Sequence, residues 1–284
     1  MSRIVYLNGE WLPEEDAKVS IFDRGFLFAD AIYEVTGVVD GKLLEYEGHS
    51  TRLQRSTKEL GITCPLSPKQ LLEVHREIVR RNNLKEGLIY LQISRGTADR
   101  DFAYPVDPTP TLTLFTQAKA VLDNPRAKTG ISVALVPDLR WGRRDIKTVQ
   151  LLYPSMAKME AASKGADDAW LVEDGFVTEA SSATAHIITK NGKLITRQLS
   201  HAILHGITRA SVLDIAKEAG IAYEERAFTP DEALDAAEAF ITSATNFVLP
   251  VVTIDGKAIG DGKPGPLTLK LRQLYVAQKT VNAI

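Results

Sequence analysis

The chain has 284 residues, of which 44% are hydrophobic and 25% are charged, a composition typical of a folded globular protein. Its 34 basic and 36 acidic residues give a formal charge of -2 without a long run of one sign, which argues against a nucleic-acid or membrane surface and favours a small-molecule partner. Cys64 is the only cysteine, which excludes an intrachain disulfide, and with no apolar run of bilayer length we expect a cytoplasmic protein.

The first part of the chain predicts hairpins followed by helices. Asn8-Gly9 and Asp40-Gly41 are turn pairs between β-rich runs, and the second lies within a hairpin expected from residue 33 to 46. A helix is expected over 49–60, and another after Ser67, which begins a capping box. Further strands are expected over 88–94 and 111–116, giving a sheet with helices on one side.

The second part follows an aperiodic stretch, 119–130, which contains Asn124-Pro125 and predicts a linker between an N-terminal domain, 1–118, and a C-terminal domain, 131–284. Short strands then mix irregularly with helices. The expected strands are 131–136, 169–172, 185–188 and 194–196, and the expected helices are 155–164, 207–219, one after Thr229 and one from near Pro266. This mixture favours an α+β fold over a doubly wound sheet.

Lys147 lies in the otherwise apolar run Ile146-Lys-Thr-Val-Gln-Leu-Leu. Burial of a lysine favours the uncharged amine, which can react with an aldehyde such as that of pyridoxal phosphate. The alternative is a lysine at a strand end whose stem packs while its ammonium group reaches water.

Glu179 is the only acid in the segment 177–182, which is turn-like and lies between two apolar strands. A pyridine-based cofactor needs a carboxylate near its ring nitrogen, because this partner keeps the nitrogen protonated. Glu179 is a candidate for that role. The alternative is a solvated turn residue.

A phosphate group could be bound at the start of the helix after His205-Gly206, where unpaired backbone N–H groups and Thr208 lie. Hydroxyls and amides at 242–245, together with the guanidinium of Arg52, could add to it. His201 and His205 have the spacing of a helical metal pair but lack a third ligand, so no metal site is expected.

Taken together, these motifs resemble those of the fold-type IV pyridoxal-phosphate aminotransferases, and most closely the D-amino acid aminotransferases. The resemblance spans nearly the whole chain. The segments that carry it are Asp23-Arg-Gly-Phe-Leu-Phe-Ala-Asp-Ala-Ile-Tyr-Glu-Val, Arg52, Arg95-Gly-Thr, Asp145-Ile-Lys, Ala157-Lys-Met-Glu-Ala, Thr178-Glu-Ala-Ser-Ser, Gly206-Ile-Thr-Arg and Thr242-Ser-Ala-Thr.

The resemblance implies a two-domain α+β fold with mixed sheets, a barrel-like second domain, and an active site between the domains at a homodimer interface. It also implies roles for individual residues. Lys147 would bind pyridoxal phosphate covalently and carry the α-proton, Glu179 would bind the ring nitrogen, and Leu204 would pack on the ring. The phosphate ligands would be Arg52, Ile207, Thr208, Ser243 and Ala244.

For the substrate carboxylate, the resemblance implies Tyr33 and, from the partner subunit, an arginine that is Arg100 here. The best-known bacterial relatives follow this arginine, after one residue, with a histidine, where this chain has Phe102. A phenyl ring cannot donate a hydrogen bond to a carboxylate. Binding of the substrate carboxylate would therefore be weaker, or other residues would provide it. The third alternative is that the enzyme accepts primary amines without a carboxylate.

The expected reaction is ping-pong transamination between a D-amino acid, such as D-alanine or D-glutamate, and a 2-oxo acid. The alternatives are an (R)-selective amine transaminase, a branched-chain aminotransferase and, further away, an aminodeoxychorismate lyase. A cofactor-binding protein without turnover is disfavoured by the presence of both Lys147 and Glu179.

Overall fold

A computed structural model describes residues 2–284 and contains two compact units. The first unit comprises the described residues up to Val121 together with Ile146–Gln150 and Asn282–Ile284, and the second comprises Leu122–Asp145 and Leu151–Val281. The chain thus returns twice to the first unit, whereas with the expected single linker at 119–130 it would pass from one domain to the other only once.

Backbone hydrogen bonds explain both returns. The N–H of Tyr33 donates to the carbonyl of Lys147 (2.9 Å), and the N–H of Val149 donates to the carbonyl of Ala31 (3.1 Å). At the C-terminus, Ile284 and Leu43 exchange two such bonds of 2.8 and 3.1 Å. Both segments are short and carry no periodic pattern of their own, so the sequence offered no sign of this pairing.

The first unit is a six-stranded sheet with helices packed on one face. Its strands, all antiparallel, run in the order β2-β1-β6-β5-β3-β4. The strands are β1 (Ile4–Leu7), β2 (Glu10–Pro13), β3 (Ala31–Val39), β4 (Lys42–Leu43), β5 (Glu86–Ser94) and β6 (Thr111–Ala118). The helices are α1 (Arg24–Phe28), α2 (Tyr46–Leu60) and α3 (Pro68–Arg81).

Alternation along the strands separates the two faces of this sheet. Ile89, Leu91 and Ile93 of β5 are buried and belong to the core that also includes apolar residues of α2 and α3. The residues between them point to the opposite face. The expected capping box of α3 and the expected end of α2 at Gly61 are confirmed, whereas α2 begins at Tyr46, three residues earlier than expected.

The second unit is built on a nine-stranded mixed sheet ordered β12-β11-β10-β13-β14-β7-β8-β9, with β15 paired to β14. Its strands are β7 (Ile131–Pro137), β8 (Asp168–Glu173), β9 (Phe176–Ala180), β10 (Thr184–Ile188), β11 (Leu194–Thr196), β12 (Tyr223–Glu225), β13 (Glu238–Ser243), β14 (Phe247–Ile254) and β15 (Lys257–Ala258). Its helices are α4 (Arg126–Thr129), α5 (Leu152–Ser163), α6 (Ile207–Glu218), α7 (Pro230–Asp235) and α8 (Pro266–Val281).

This sheet curls on itself. A tight turn in which the N–H of Ala180 donates to the carbonyl of Ala183 (2.8 Å) joins β9, the last strand of the order, to β10 in its interior. The apolar side chains that the sheet encloses, among them Trp170 and Phe228, form one core. The fold is therefore α+β with a curled, mixed second sheet, as expected. Among the helices of residues 2–284, none combines the length and the apolar character needed to cross a bilayer.

Candidate active site

In the first unit, the pairing of Ile146–Gln150 with β3 fixes Lys147. Its Nζ lies 4.2 Å from the centre of the Tyr33 ring, over the ring face. Tyr33 stacks on Tyr90, with ring centres 5.5 Å apart, and Tyr90 stacks on Phe115 at 4.8 Å. The half-buried Lys147 amine thus lies at one end of an aromatic row on the sheet face opposite the helices.

Arg52 is a buried residue of α2, which packs against β3. Its guanidinium makes two bonds of 2.7 Å to the carboxylate of Glu34, and Nδ1 of His49 lies 2.8 Å from that carboxylate. Burial alone would raise the pKa of Glu34, but Arg52 and His49 outweigh it and hold the pKa at about 2. Glu34 therefore remains ionised and sets the direction of the Arg52 side chain.

In the second unit, Glu179 lies in strand β9, so the expected turn-like segment 177–182 is strand as far as Ala180, and only Ser181 and Ser182 belong to the turn that follows. Another turn precedes the strand, at Asp174-Gly175, where both residues have positive φ, and it returns the chain so that Glu179 is buried within the sheet. Burial raises the pKa of Glu179, while the charge and hydrogen bond of Arg140 and the backbone N–H of Leu204 oppose the rise. Leu204 is thus adjacent to the Glu179 carboxylate.

Arg140, which bonds the Glu179 carboxylate, was not predicted from the sequence. Its Nη1 donates to Glu179 (2.7 Å), while Nε and Nη2 donate to Asp138 at 2.9 and 2.7 Å. Asp138 also accepts a bond of 2.6 Å from Thr178 and lies 3.3 Å from Arg144. The sequence signal that could have indicated Arg140 was the group of basic residues after β7. Basic residues next to a protein core usually have an acidic partner there.

The expected phosphate ligands of the second unit lie at the ends of two elements, the start of α6 and the end of β13. Gly206 is the N-cap of α6 and provides no side-chain cap, so the first N–H groups of α6 need other acceptors. The hydroxyl of Thr208 is buried without a hydrogen-bond partner in the described chain. A Cβ at Gly206 would lie 2.9 Å from the Thr184 hydroxyl, which places the start of α6 against β10.

The end of β13 adjoins the same place. Thr184 of β10 pairs with Thr242 of β13, and Ser243 and Ala244 follow directly. The hydroxyl of Ser243 accepts a bond of 3.2 Å from the N–H of Asn246 and is half-buried. This place combines a helix start, a buried hydroxyl without a partner and a strand end that offers backbone amides. Together these groups suit a phosphate group.

Arg100 and Phe102 lie in the exposed loop between β5 and β6. The Arg100 guanidinium is 5.5 Å from the Phe28 ring and 5.6 Å from the Phe102 ring, and the two rings make an edge-to-face contact at 5.7 Å. Within its own chain Phe102, 79% exposed, thus contacts Phe28 and Arg100. Each unit therefore carries part of the expected set. The first holds Lys147, Arg52 and the loop with Arg100, and the second holds Glu179 and the other expected phosphate ligands.

Comparison with known proteins shows the family. The model of the class IV aminotransferases matches residues 31–254, and this chain belongs to that family of enzymes. It is similar to the D-alanine aminotransferase of Bacillus licheniformis, with 40% identity over 93% of both chains, and to that of Staphylococcus aureus, with 36% identity over 95% of both.

Solved structures agree with this fold. A branched-chain amino acid aminotransferase from T.th., solved with pyridoxamine 5'-phosphate, superimposes with a TM-score of 0.90 at 27% identity, over 99% of this chain and 95% of that one. The branched-chain aminotransferase of Escherichia coli gives a TM-score of 0.91 at 22% identity, over 98% and 95%, and supports the fold alone.

Proposed function

We propose that this chain is a pyridoxal-phosphate-dependent transaminase that exchanges an amino group between a D-amino acid, such as D-alanine or D-glutamate, and a 2-oxo acid. The observation that carries the proposal is the similarity to D-alanine aminotransferases over 93% of both chains. A structural relative was solved with the amine form of this cofactor, which supports the cofactor assignment.

The donor set of the chain fits such a cofactor. When bound, pyridoxal phosphate supplies the electron sink that stabilises negative charge at the substrate α-carbon. Lys147 would hold the cofactor and move the proton at that carbon, while Glu179, kept in place by Arg140, would accept a hydrogen bond from the ring nitrogen. Leu204 would pack on the ring.

The phosphate would be held from two kinds of donors. The fold orients the backbone N–H groups at the start of α6 and after β13. It also orients the Thr208 hydroxyl, which is buried without a partner. Arg52 would add its charge, in a direction set by Glu34. The proposed phosphate ligands are Arg52, Ile207, Thr208, Ser243 and Ala244.

For the substrate we propose that Tyr33 and the partner subunit's Arg100 bind the carboxylate, with Phe102 beside them, in a homodimer. The first unit leaves several large apolar side chains exposed, which supports a face that a second subunit covers in the homodimer. The most exposed of them are Ile21, Phe26, Phe102 and Val106. The single cysteine, Cys64, is free, in keeping with a reducing compartment such as the cytoplasm.

Two other reactions are favoured by particular observations. Phe102 offers an apolar ring where a carboxylate would otherwise gain a hydrogen bond, which favours (R)-amines. The likeness to a branched-chain aminotransferase at 27% identity favours branched L-amino acids.

Half-reaction spectra test the proposal. Holoenzyme is mixed with D-alanine, L-leucine or (R)-1-phenylethylamine, and the loss of the aldehyde-form absorbance is followed. D-alanine should convert the enzyme fastest. Faster conversion by L-leucine or by the amine would replace the proposed function with the corresponding alternative.

The lysine assignment is tested on the same preparation. Borohydride should fix the cofactor on the peptide that contains Lys147, and Lys147→Arg should lose both the label and the activity. Lys158→Arg is the matched control, because Lys158 is exposed on α5 and should keep both. A label on any other peptide would contradict the assignment.

A further inference from the structure

A buried cluster of charges lies beneath the loop that carries Arg100. Arg24 at the start of α1 and Arg95 at the end of β5 bond the same carboxylate, Asp30, each through Nε at 2.8 Å. Both arginine side chains are only 3% exposed. Two guanidinium groups share one carboxylate, so each has donors left for other acceptors.

Arg24 uses those donors on the loop itself. Its Nη1 donates to the carbonyl of Asp101 (2.7 Å) and approaches that of Ala103 (3.4 Å). These two carbonyls flank Phe102, and Asp101 follows Arg100 directly. One buried side chain therefore holds the backbone on both sides of Phe102.

Aromatic rings complete the attachment. The guanidinium of Arg24 lies 4.5 Å from the Phe28 ring, and Phe28 in turn contacts Arg100 and Phe102. Tyr104 covers the cluster from outside, with its ring 3.6 Å from the guanidinium of Arg95. Such cation–ring contacts add to the hydrogen bonds in fixing a loop.

We propose that Arg24 is the positioning residue for carboxylate recognition: it fixes the loop 100–104 so that Arg100 is presented in one direction. The inference rests on the proposed function, in which Arg100 binds the substrate carboxylate. Phe102 cannot donate a hydrogen bond, so binding depends on how well Arg100 is placed. The planar guanidinium of Arg24 bonds Asp30 with one edge and the loop with another. The ammonium group of a lysine could not make both sets of bonds.

Removal of Arg24 should leave the fold intact, because Asp30 keeps its contacts with Arg95 at 2.8 and 3.1 Å. The test compares wild type, Arg24→Met and Tyr104→Leu as holoenzymes. Tyr104 is 61% exposed, so its replacement does not threaten folding. Arg80→Met is the control, because Arg80 is an exposed arginine paired with Glu77 on α3.

Two readouts are needed, and one of them does not depend on activity. Hydrogen exchange of the peptide covering 98–105 should be faster by about tenfold in Arg24→Met and by less in Tyr104→Leu, with no change in Arg80→Met. The KM values for D-alanine and 2-oxoglutarate should rise by about tenfold in Arg24→Met, the loss expected for a misplaced charge-assisted contact, while kcat changes much less.

Unchanged exchange in Arg24→Met and Tyr104→Leu would overturn the inference, because the loop would then be held by other contacts. Faster exchange with unchanged KM would also overturn it, since the loop would not serve recognition. A wild-type enzyme without D-amino acid activity would contradict the proposed function instead, and the exchange data would still decide whether Arg24 holds the loop.

Discussion

Glu179 is a buried carboxyl group whose charge depends chiefly on one neighbour. Burial raises its pKa, and Arg140 at 2.7 Å opposes that rise. In Glu179→Gln the neutral amide cannot hold a proton on a pyridine nitrogen, so the α-proton step should slow by about tenfold to hundredfold while the cofactor stays bound. Single-turnover rates with D-alanine measure this, and cofactor content measures retention.

The pH dependence gives the matching control. In the proposed function ionised Glu179 is the active form, so the single-turnover rate of the wild type should decline as the pH falls through its raised pKa. Glu179→Gln should lack that decline, and Arg140→Met should move it to higher pH. A decline that persists unchanged in Glu179→Gln would assign it to another group.

Thr208 provides a test of the anion site that separates binding from folding. Its hydroxyl is buried without a hydrogen-bond partner in the described chain, which is unfavourable unless a ligand bonds it. Thr208→Val should therefore leave the stability of the apoenzyme unchanged or raise it by up to about 1 kcal/mol, while cofactor affinity falls by about tenfold. Urea unfolding and cofactor titration measure the two effects.

Thr196 is the matched control for this change. Its buried hydroxyl donates to the carbonyl of Ala185 at 3.0 Å, so Thr196→Val should cost about 1 kcal/mol of apoenzyme stability without the same loss of cofactor affinity. If Thr208→Val destabilises the apoenzyme as much as Thr196→Val does, the Thr208 hydroxyl already has a partner in the protein and the argument fails.

Among the elements, α3 carries a histidine whose neutral form stabilises the first unit. Burial lowers the pKa of His75 to about 4, its Nδ1 lies 2.7 Å from the Leu71 carbonyl oxygen, and its ring contacts Tyr46. The unfolded chain binds this proton near pH 6.5, so the stabilising effect is complete above 6.5 and is lost as the pH falls towards 4.

His75→Phe should remove this part of the acid destabilisation, on the order of 2 kcal/mol between pH 6.5 and 4. The measurement is urea unfolding of the apoenzyme across that range. His201→Phe, which replaces an exposed histidine, should keep the wild-type dependence. Equal pH dependence in His75→Phe and wild type would show that other groups cause it.

The elements also show which parts of the fold the sequence could predict. The start of α3 and the end of α2 followed from Ser67 and Gly61, because caps and left-handed glycines act locally. The strand that contains Glu179 was taken for a turn, since its buried acid and small residues do not alternate as strand residues usually do. The pairing of Ile146–Gln150 with β3 is non-local, and no local pattern encodes it.

At the scale of the whole molecule, the candidate site was predicted by matching motifs rather than by chemistry alone. Lys147 and Glu179 could each also be interpreted as a residue without a catalytic role. Only their order along the chain, together with the other motifs, favoured an enzyme. The partners that set their properties, Arg140 and Glu34, could not be chosen from the sequence, because strand pairing and helix packing decide which charges meet. The family match over residues 31–254 confirms the class of enzyme.

The chirality of the product tests the central claim most directly. Purified enzyme is given D-alanine and 2-oxoglutarate, and the glutamate formed is resolved by chiral chromatography, with Lys147→Arg as the blank. The account predicts D-glutamate in amounts equal to the pyruvate released, and none in the blank. L-glutamate as the main product, or formation of glutamate only from L-leucine, would contradict it.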